Sequence, residues 1–549
     1  MAIQHELRES IKGDVDVTDD TLEEYSYDAS LFGVRPKVVV FPKDVHDIKE
    51  LVHFINKKRE EIPGISLTGR AGGTDMTGGP LTESISVSFT KYMNHVWEVN
   101  PEEMFARVQP GVFYRDFEKV ILPEDLSLPC YPASKSIAAL GGMVANNCAG
   151  EKTLRYGKMN DFIQEIKAVF SDGNEYVLRK LNMEELEQKK SQDNFEGEVY
   201  RRMHSLLEDN YDIVKAAKPD VAKNSAGYNL WDVYDREQGT FDLTQLFGGS
   251  QGTLGIWAET RLRLVHEKPK RRLTVLFFNS WDEVPEVVNK LLPLDPESIE
   301  TFDDATLKLG LRFMPQIAKK AGSSFLPFAL KFWPEALIGL RMLGLPKLTM
   351  LIEFAEDTEE ELDQKINDLK ESLEEHNKII MRELDTEEEA EKYWTMRRES
   401  FSLLRKEVSD KRTAPFVDDF CVKPEFLPEF LPKVFGILKK HGIKATLAGH
   451  AGEGNFHIIP LMDLSKKTER DKIPVVLDKV NNLTFEYGGT MTAEHNDGLI
   501  RSPYLEQMYG KKVYDLFVET KNIFDPNNIF NPGKKINADL DYAMEHIDH

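Results

Sequence analysis

The stretch ISLTGRAGGTDMTGG, residues 65–79, runs an apolar strand straight into a loop with glycine at positions 72, 73, 78 and 79. Without β-carbons, such a loop turns its backbone N–H groups inward and lets an anion approach closely, which suits a phosphate. One glycine-rich loop is weak evidence, because tight turns use glycine for conformation alone. A second, PASKSIAALGGMVANNCAG at 132–150 followed by RYGKMND, shifts the balance, since two cradles suit the two phosphates of a dinucleotide. No GxxxxGK[ST] and no strand–GxGxxG–helix fingerprint occurs, so neither the P-loop nor the Rossmann mechanism is supported. Neither loop is expected to belong to a regular element.

Upstream, VRPKVVVFP from Val34 reads as a buried strand, and the segment after it places Val45, Ile48, Leu51, Val52 and Ile55 on one helical face. Residues 183–198 are a charged run, read as a solvated helix or an insertion. After GSQGTLGIWAETRLRLV the pattern changes. RRLTVLFF, SWDEVPEVVNKLL and SIETFD read as strand, helix and strand; LTMLIEF, EELDQKINDLKESLEEH and KIIMREL repeat the unit, with Leu362, Ile366, Leu369 and Leu373 on one face. Two such units make a split βαβ layer and place a domain boundary near Lys268. The expected organisation is residues 1–268, residues 269–520 as a cap over them, and residues 521–549 returning to the first unit.

The 549 residues are 41% apolar, 30% charged and 10% aromatic, the balance of a soluble globular chain of several domains. The formal charge of −23 repels phosphate over the average surface, which argues against nucleic-acid binding; an anionic small molecule needs a local basic pocket. Cys130, Cys148 and Cys421 are too few and scattered for a disulfide framework or an iron–sulfur cluster. With an amino terminus that lacks the apolar stretch of a secretory signal, they suit a reducing cytoplasm. Residues 311–350 carry six basic residues against one acidic, opposite in sign to the whole chain. Prolines and charges keep this segment from supplying the roughly 20 clean residues of a membrane span. It reads either as a peripheral contact with anionic lipid on the inner face of a membrane or as a covered helix pair.

His450 and His457 bracket AGEGNF, a glycine turn that can bring two imidazoles to one side, and Glu494 precedes His495 in TAEHNDGLIR. His450, His457 and Glu494 form a His/His/carboxylate set for a divalent metal with an open coordination position, zinc first, with manganese and iron as alternatives.

In order across residues 22–535, RAGGTDMTGG, PASKSIAALGGMVANNCAG, RYG, GGSQGTLGI, HAGEGNFH, EHNDGLIR and FDPNNIFNPGKK strongly resemble the FAD-linked oxidoreductases of the vanillyl-alcohol-oxidase/PCMH superfamily. The branch it resembles most holds D-lactate dehydrogenase, D-2-hydroxyglutarate dehydrogenase and the flavin subunit of glycolate oxidase. The resemblance implies an α+β fold: a PCMH-type FAD-binding domain of two α/β subdomains, a ferredoxin-like cap and a C-terminal helical segment. By position it implies that Arg70, Gly72, Gly73, Thr74 and Asp75 line the first FAD loop, and Pro132, Ser134, Gly141, Gly142, Ala145 and Asn147 the second. Gly249, Gly252 and Ile256 would flank the adenine side. Gln251 stands where the family usually has Glu, which keeps hydrogen-bonding capacity and removes a charge. The first loop has no histidine of the kind some relatives use to attach flavin, so noncovalent FAD is expected.

The reaction the resemblance implies is oxidation of a D-2-hydroxy acid, in which a hydride leaves the α-carbon for flavin N5 and the hydroxyl loses a proton. His495 is the expected base. Arg397 matches the arginine that grips the substrate carboxylate, with Arg398 as the neighbouring alternative and a surface salt bridge as the plain reading of either. Asn455 adds a hydrogen bond to the substrate or serves the turn. Several departures bear on the substrate. A lysine of the relatives is replaced by Val417 or Asp418, a threonine by Phe401, and the commoner Asp and Gly of the two histidine motifs by Glu453 and Asn496. A short or apolar D-2-hydroxy acid, D-lactate being the simplest, therefore fits better than 2-hydroxyglutarate. The chain lacks the cysteine clusters of fused iron–sulfur members, so a separate quinone, cytochrome or electron-transfer protein is the expected acceptor. Two alternatives stand beside this: a flavin subunit of an electron-transfer complex, and an alkylglycerone-phosphate-synthase-like flavoenzyme, against which the complete His/His/Glu set argues.

Overall fold

The computed structural model describes residues 2–304, 306–308, 342, 344–384, 386–407 and 412–549. Its first sheet is built from β1 (Asp14–Asp16), β2 (Val38–Phe41), β3 (Leu67–Arg70) and β4 (Ile85–Ser88), in the order β1-β2-β4-β3, with β4 parallel to both neighbours. Parallel strands need a crossover, and α1 (Val45–Lys58) supplies it between β2 and β3. Asp44 caps α1 by accepting from the Asp47 N–H, and Ile48, Leu51, Val52 and Ile55 are buried as the periodicity requires. The chain's far end completes this layer: Leu67 N–H donates to Ile529 O at 2.8 Å, and Asn531 N–H to Leu67 O at 2.9 Å.

A second, antiparallel sheet holds β5 (Val96–Asn100), β6 (Phe105–Val108), β7 (Ile163–Val169), β8 (Glu175–Arg179) and β9 (Ile256–Arg263), in the order β5-β6-β9-β7-β8. Between β6 and β7 in sequence, α2 (Leu140–Asn146) corrects the expectation that the second glycine stretch is irregular. Gly141 is there for close packing: a β-carbon on it would meet Pro110 O at 2.7 Å. The charged run at 183–198 is helical and largely exposed, in line with the solvated reading, with Leu186, Glu196 and Gly197 turned inward. It divides between helices Met183–Lys190 and Phe195–Asp209, and the second buries Val199, Tyr200, Met203 and Leu207 while Lys189 Nζ holds the buried Glu196 at 2.5 Å.

The next layer follows the two strand–helix–strand units. β10 (Lys270–Phe278), α3 (Val284–Leu291), β11 (Ser298–Asp303), β12 (Leu348–Glu356), α4 (Glu359–Ser372) and β13 (Ile380–Glu383) form an antiparallel ferredoxin-like sheet, β13-β10-β12-β11. Val288 and Leu291 of α3 and Leu362, Ile366 and Leu369 of α4 enter one large core with Phe278, Ile352 and Phe354, each fully buried side chain contributing about 1.5–3 kcal/mol. The helix α5 (Glu387–Glu407) carries Arg397. The sheet then continues beyond the ferredoxin-like unit. β14 (Arg412–Thr413) and β15 (Phe420–Cys421) both pair with β17 (Asn455–Met462), which forms a hairpin with β16 (Lys444–His450), and β16 pairs with β11. That extension places both histidines of HAGEGNFH in the sheet that contains Glu300. The reading of residues 311–350 as a lipid contact lies almost wholly outside the described residues; among the described ones no helix is long and apolar enough to cross a membrane.

Candidate active site

One cavity of about 560 Å³ runs from the glycine loops to the histidines. At one end it is lined by Arg70, Gly72, Gly73, Thr74 and Asp75, by Pro132, Ser134, Gly141, Gly142 and Ala145, and by Gly252 and Ile256. The two loops touch: a β-carbon on Gly72 would lie 2.6 Å from Ile137 O, and Gly73 adopts φ +67°. Two expected lining residues are corrected. Asn147 is turned into the fold, its Oδ1 accepting from Asn160 N–H at 2.9 Å, and Gly249 is buried, its carbonyl accepting from Asn496 Nδ2 at 2.9 Å. Gln251, flagged as a departure, joins the layers. Its Oε1 accepts from Gly498 N–H at 2.8 Å while its Nε2 faces Asp75 Oδ2 and Asn146 Oδ1, each at 3.4 Å. A neutral amide can donate toward the Asp75 carboxylate, which a second carboxylate would repel.

At the other end the cavity is lined by Arg397, His450, His457, Glu494 and His495. The Nε2 atoms of His450, His457 and His495 lie 3.4, 3.3 and 3.7 Å from Glu494 Oε1. Each ring is oriented through its Nδ1: that of His450 donates to Glu300 Oε1 at 2.5 Å, that of His457 to Asp418 O at 2.7 Å, and that of His495 to Asp418 Oδ2 at 3.0 Å. Three Nε2 lone pairs and one carboxylate oxygen thus converge, in the arrangement that metal-binding histidines use when the second nitrogen is held by an acceptor. Thr446 and Ala448 share the face of β16 with His450, and Ile459 shares that of β17 with His457, so the same wall continues as small or apolar side chains.

Around this end lie carboxylates and cations that spacing alone did not reveal. Glu494 Oε2 lies 3.4 Å from the Nζ of the fully buried Lys223, which also sits 3.2 Å from Glu453 Oε1. Burial opposes its charge, yet Lys223 and His450 hold Glu494 well below the usual carboxylate range. Asp418 pairs with the buried Arg501 as well as with His495, and these partners keep it ionised against the cost of burial. Burial likewise opposes the His495 imidazolium, but Asp419 and Asp418 push its pKa up to about 9. That value belongs to a ring among carboxylates; a divalent cation beside it would reverse the sign of the field. Asp419, His457, Glu494 and His495 offer ligand atoms within 4.8 Å of one another, a group that does not include His450, but Asp419 Oδ2 already accepts from Thr492 Oγ1 and from the backbone N–H groups of Ala493, Glu494 and His495, at 2.7–2.9 Å. It shapes the Glu494–His495 turn. Asn455 is corrected too: fully buried, it donates to Asp419 Oδ1 and Phe420 O and does not line the cavity, which favours its turn role.

Both arginines escape the surface reading. Arg397 is buried, its Nε and Nη2 each 3.1 Å from Glu300 Oε2, and Arg398 holds the Glu151 carboxylate through Nε and Nη2. Of the two places weighed for the missing lysine, Val417 is buried in the large core and Asp418 holds His495; the side chain of Phe401 lies outside the described residues.

With this geometry established, similarity to known proteins decides the family. Residues 36–179 match the FAD binding domain, and residues 267–535 match the C-terminal domain of FAD linked oxidases. The chain belongs to the FAD-linked oxidases. Among the relatives of this FAD-linked oxidase, a D-2-hydroxyglutarate dehydrogenase from Escherichia coli (strain K12) is 28% identical over 97% of the chain. The chain spans about half the length of the first curated relatives it matches, 52% in that case. The glycolate oxidase subunit GlcD from Bacillus subtilis (strain 168) is 26% identical, with 94% of this chain and 92% of the relative covered. Among solved structures, the 4-ethylphenol oxidase from Gulosibacter chungangensis superposes with a TM-score of 0.69 at 17% identity, over 97% of this chain and 96% of the other, which establishes the shared PCMH-type fold.

Proposed function

We propose that this FAD-linked oxidase converts a D-2-hydroxy acid with a small uncharged side chain, D-lactate being the simplest, to the 2-oxo acid and passes the electrons to a separate acceptor. The observation that carries the reading is the convergence of three imidazole Nε2 atoms and Glu494 Oε1 at the end of the same cavity that the two glycine loops enter.

The residues fit both implied groups. FAD suits the two touching glycine loops, where Gly142, and Gly252 beside them, line the cavity with bare backbone and leave open space that a β-carbon would fill. For a metal, His450, His457 and Glu494 offer two neutral nitrogens and an anionic oxygen, a set that suits zinc first and also manganese or iron. The charges agree. Among the described residues at this end, five buried carboxylates (Glu300, Asp418, Asp419, Glu453 and Glu494) face Arg397, Arg501 and Lys223 and, in the metal-free protein, the His450 and His495 imidazoliums, each with its pKa pushed up to about 9; a divalent ion that takes the place of those two protons keeps the balance. Held by His450, His457 and Glu494, a divalent cation would supply polarisation of the substrate hydroxyl, and FAD on the glycine loops would supply the hydride acceptor.

The protein's own groups supply the remaining steps. Arg397 binds the substrate carboxylate with a planar fork. His495 takes the hydroxyl proton on Nε2, and Asp418, kept anionic by Arg501, stabilises the resulting imidazolium through Nδ1–H. Thr446, Ala448 and Ile459 favour a short uncharged side chain. The match to a protein named as a glycolate oxidase subunit favours a second reading, in which this chain is the flavin subunit of an electron-transfer complex.

Anaerobic addition of D-lactate and other D-2-hydroxy acids to flavin- and metal-loaded protein, before and after chelation, tests the proposal. Bleaching of the flavin that chelation abolishes is the expected result. Failure of every acid to bleach the loaded protein would remove the hydroxy-acid assignment and leave the electron-transfer and synthase-like readings.

A further inference from the structure

Glu300 sits in β11, a strand whose six residues are all buried, between two apolar neighbouring strands. A carboxylate there is expensive unless every oxygen is satisfied. Both are: Oε1 accepts from His450 Nδ1 at 2.5 Å, and Oε2 faces Nε and Nη2 of Arg397, each at 3.1 Å. One side chain therefore touches the candidate metal ligand and the candidate carboxylate receptor, which come from different elements, β16 and α5.

We propose that Glu300 is a positioning residue that couples the two halves of the substrate site, fixing the His450 tautomer and the Arg397 guanidinium in one frame. The inference rests on the reading of His450 and Arg397 given above. The chemistry of the two contacts explains why glutamate is required. Donating Nδ1–H to Oε1 leaves the His450 Nε2 lone pair facing Glu494. The side-on grip on Arg397 removes rotamer freedom that a substrate carboxylate would otherwise have to restrict on binding. A glutamine in the same place keeps one acceptor and turns an NH2 toward a second donor, so it can serve His450 or Arg397 but not both.

Coupling distinguishes this role from that of a structural ion pair. Glu300→Gln and Arg397→Met would be compared with wild-type protein, all FAD-loaded. Zn²⁺ affinity would be read by competition with a chelator, and carboxylate affinity by the flavin absorbance change on adding propionate, which lacks a hydroxyl and does not chelate. Glu300→Gln is expected to loosen Zn²⁺ by about 10- to 100-fold, the usual cost of losing a partner to a ligating histidine, and to weaken propionate as well. Arg397→Met leaves every metal-facing group in place, yet should change Zn²⁺ affinity several-fold because Glu300 loses its anchor. If Glu300→Gln does not fold, the Arg397→Met arm decides alone. Unchanged Zn²⁺ affinity in Arg397→Met, or loss of only one affinity in Glu300→Gln, overturns the coupling. Wild-type protein that binds neither Zn²⁺ nor propionate overturns the site reading itself, and the proposal with it.

Discussion

Asp418 Oδ2 lies 3.0 Å from His495 Nδ1, on the opposite edge of the imidazole from the Nε2 that faces Glu494. A base held this way presents one tautomer to the cavity and has a carboxylate ready to stabilise its protonated form. Asp418→Asn keeps the shape and removes the charge. Flavin reduction by the hydroxy acid should slow by about 10²- to 10⁴-fold, the usual worth of positioned proton transfer. Stopped-flow bleaching read alongside flavin content checks it; a rate within a few-fold of wild type in fully loaded protein would remove His495 as the base.

The close approach of the two glycine loops separates two substitutions that look alike in sequence. Gly72→Ala would place a methyl 2.6 Å from Ile137 O and 3.2 Å from Ala139 N, backbone atoms that cannot step aside without parting the loops. Gly142→Ala would meet only Ala71 Cβ, at 3.9 Å. Both glycines line the cavity, so flavin occupancy, read as the ratio of flavin to protein absorbance, should fall several-fold in both, whereas the melting temperature of the flavin-free protein should fall only in Gly72→Ala, which parts the loops.

How much of this was readable beforehand depends on the range of the contacts involved. Helix α1 and the paired strand–helix–strand units announce themselves because residues such as Leu362, Ile366 and Leu369 recur at a local period. The loops around Gly72 and Gly141 were visible as composition. Helix α2 was not, because glycine argues against helix until Pro110, distant in sequence, demands close packing. Glu300, Asp418 and Lys223 meet His450, His495 and Glu494 across 150, 77 and 271 residues, and no spacing rule spans such separations. Their one local signal was a charge inside an otherwise strand-like or apolar run, as in SIETFD and FVDDFCV.

A pH response is expected from a second buried group, outside the histidine cluster. Burial and the neighbouring Glu297 push the Glu353 carboxyl up to about 8, against the pull of Arg271, which also pairs with Glu267 beside Lys152. A pKa raised in the folded state means that the native protein holds a proton the unfolded chain has released. The stability this contributes is complete below the unfolded value of 4.5 and is lost as pH rises through about 8. Glu353→Gln cannot ionise. Between about pH 6 and about pH 9 its melting temperature should fall less than that of the wild type, by about 2–4 °C for each kcal/mol of difference at Tm. Parallel melting curves across that range would refute the assignment.

Lys223 provides the sharpest test of whether this pocket is built around a cation. Its ammonium group is wholly buried between Glu453 and Glu494, so Lys223→Met leaves two carboxylates facing each other without compensation. Breaking a buried pair from one side costs about 3–5 kcal/mol. In chelated protein the variant should therefore melt well below wild type. A divalent ion bound at Glu494 supplies charge where the lysine was lost, and ligand binding stabilises the folded state by mass action. Adding Zn²⁺ should then raise the melting temperature of Lys223→Met by more than it raises that of wild type. An equal rise in both would mean that Lys223 and the ion do not share an electrostatic environment, and the charge balance drawn for this end of the cavity would fail.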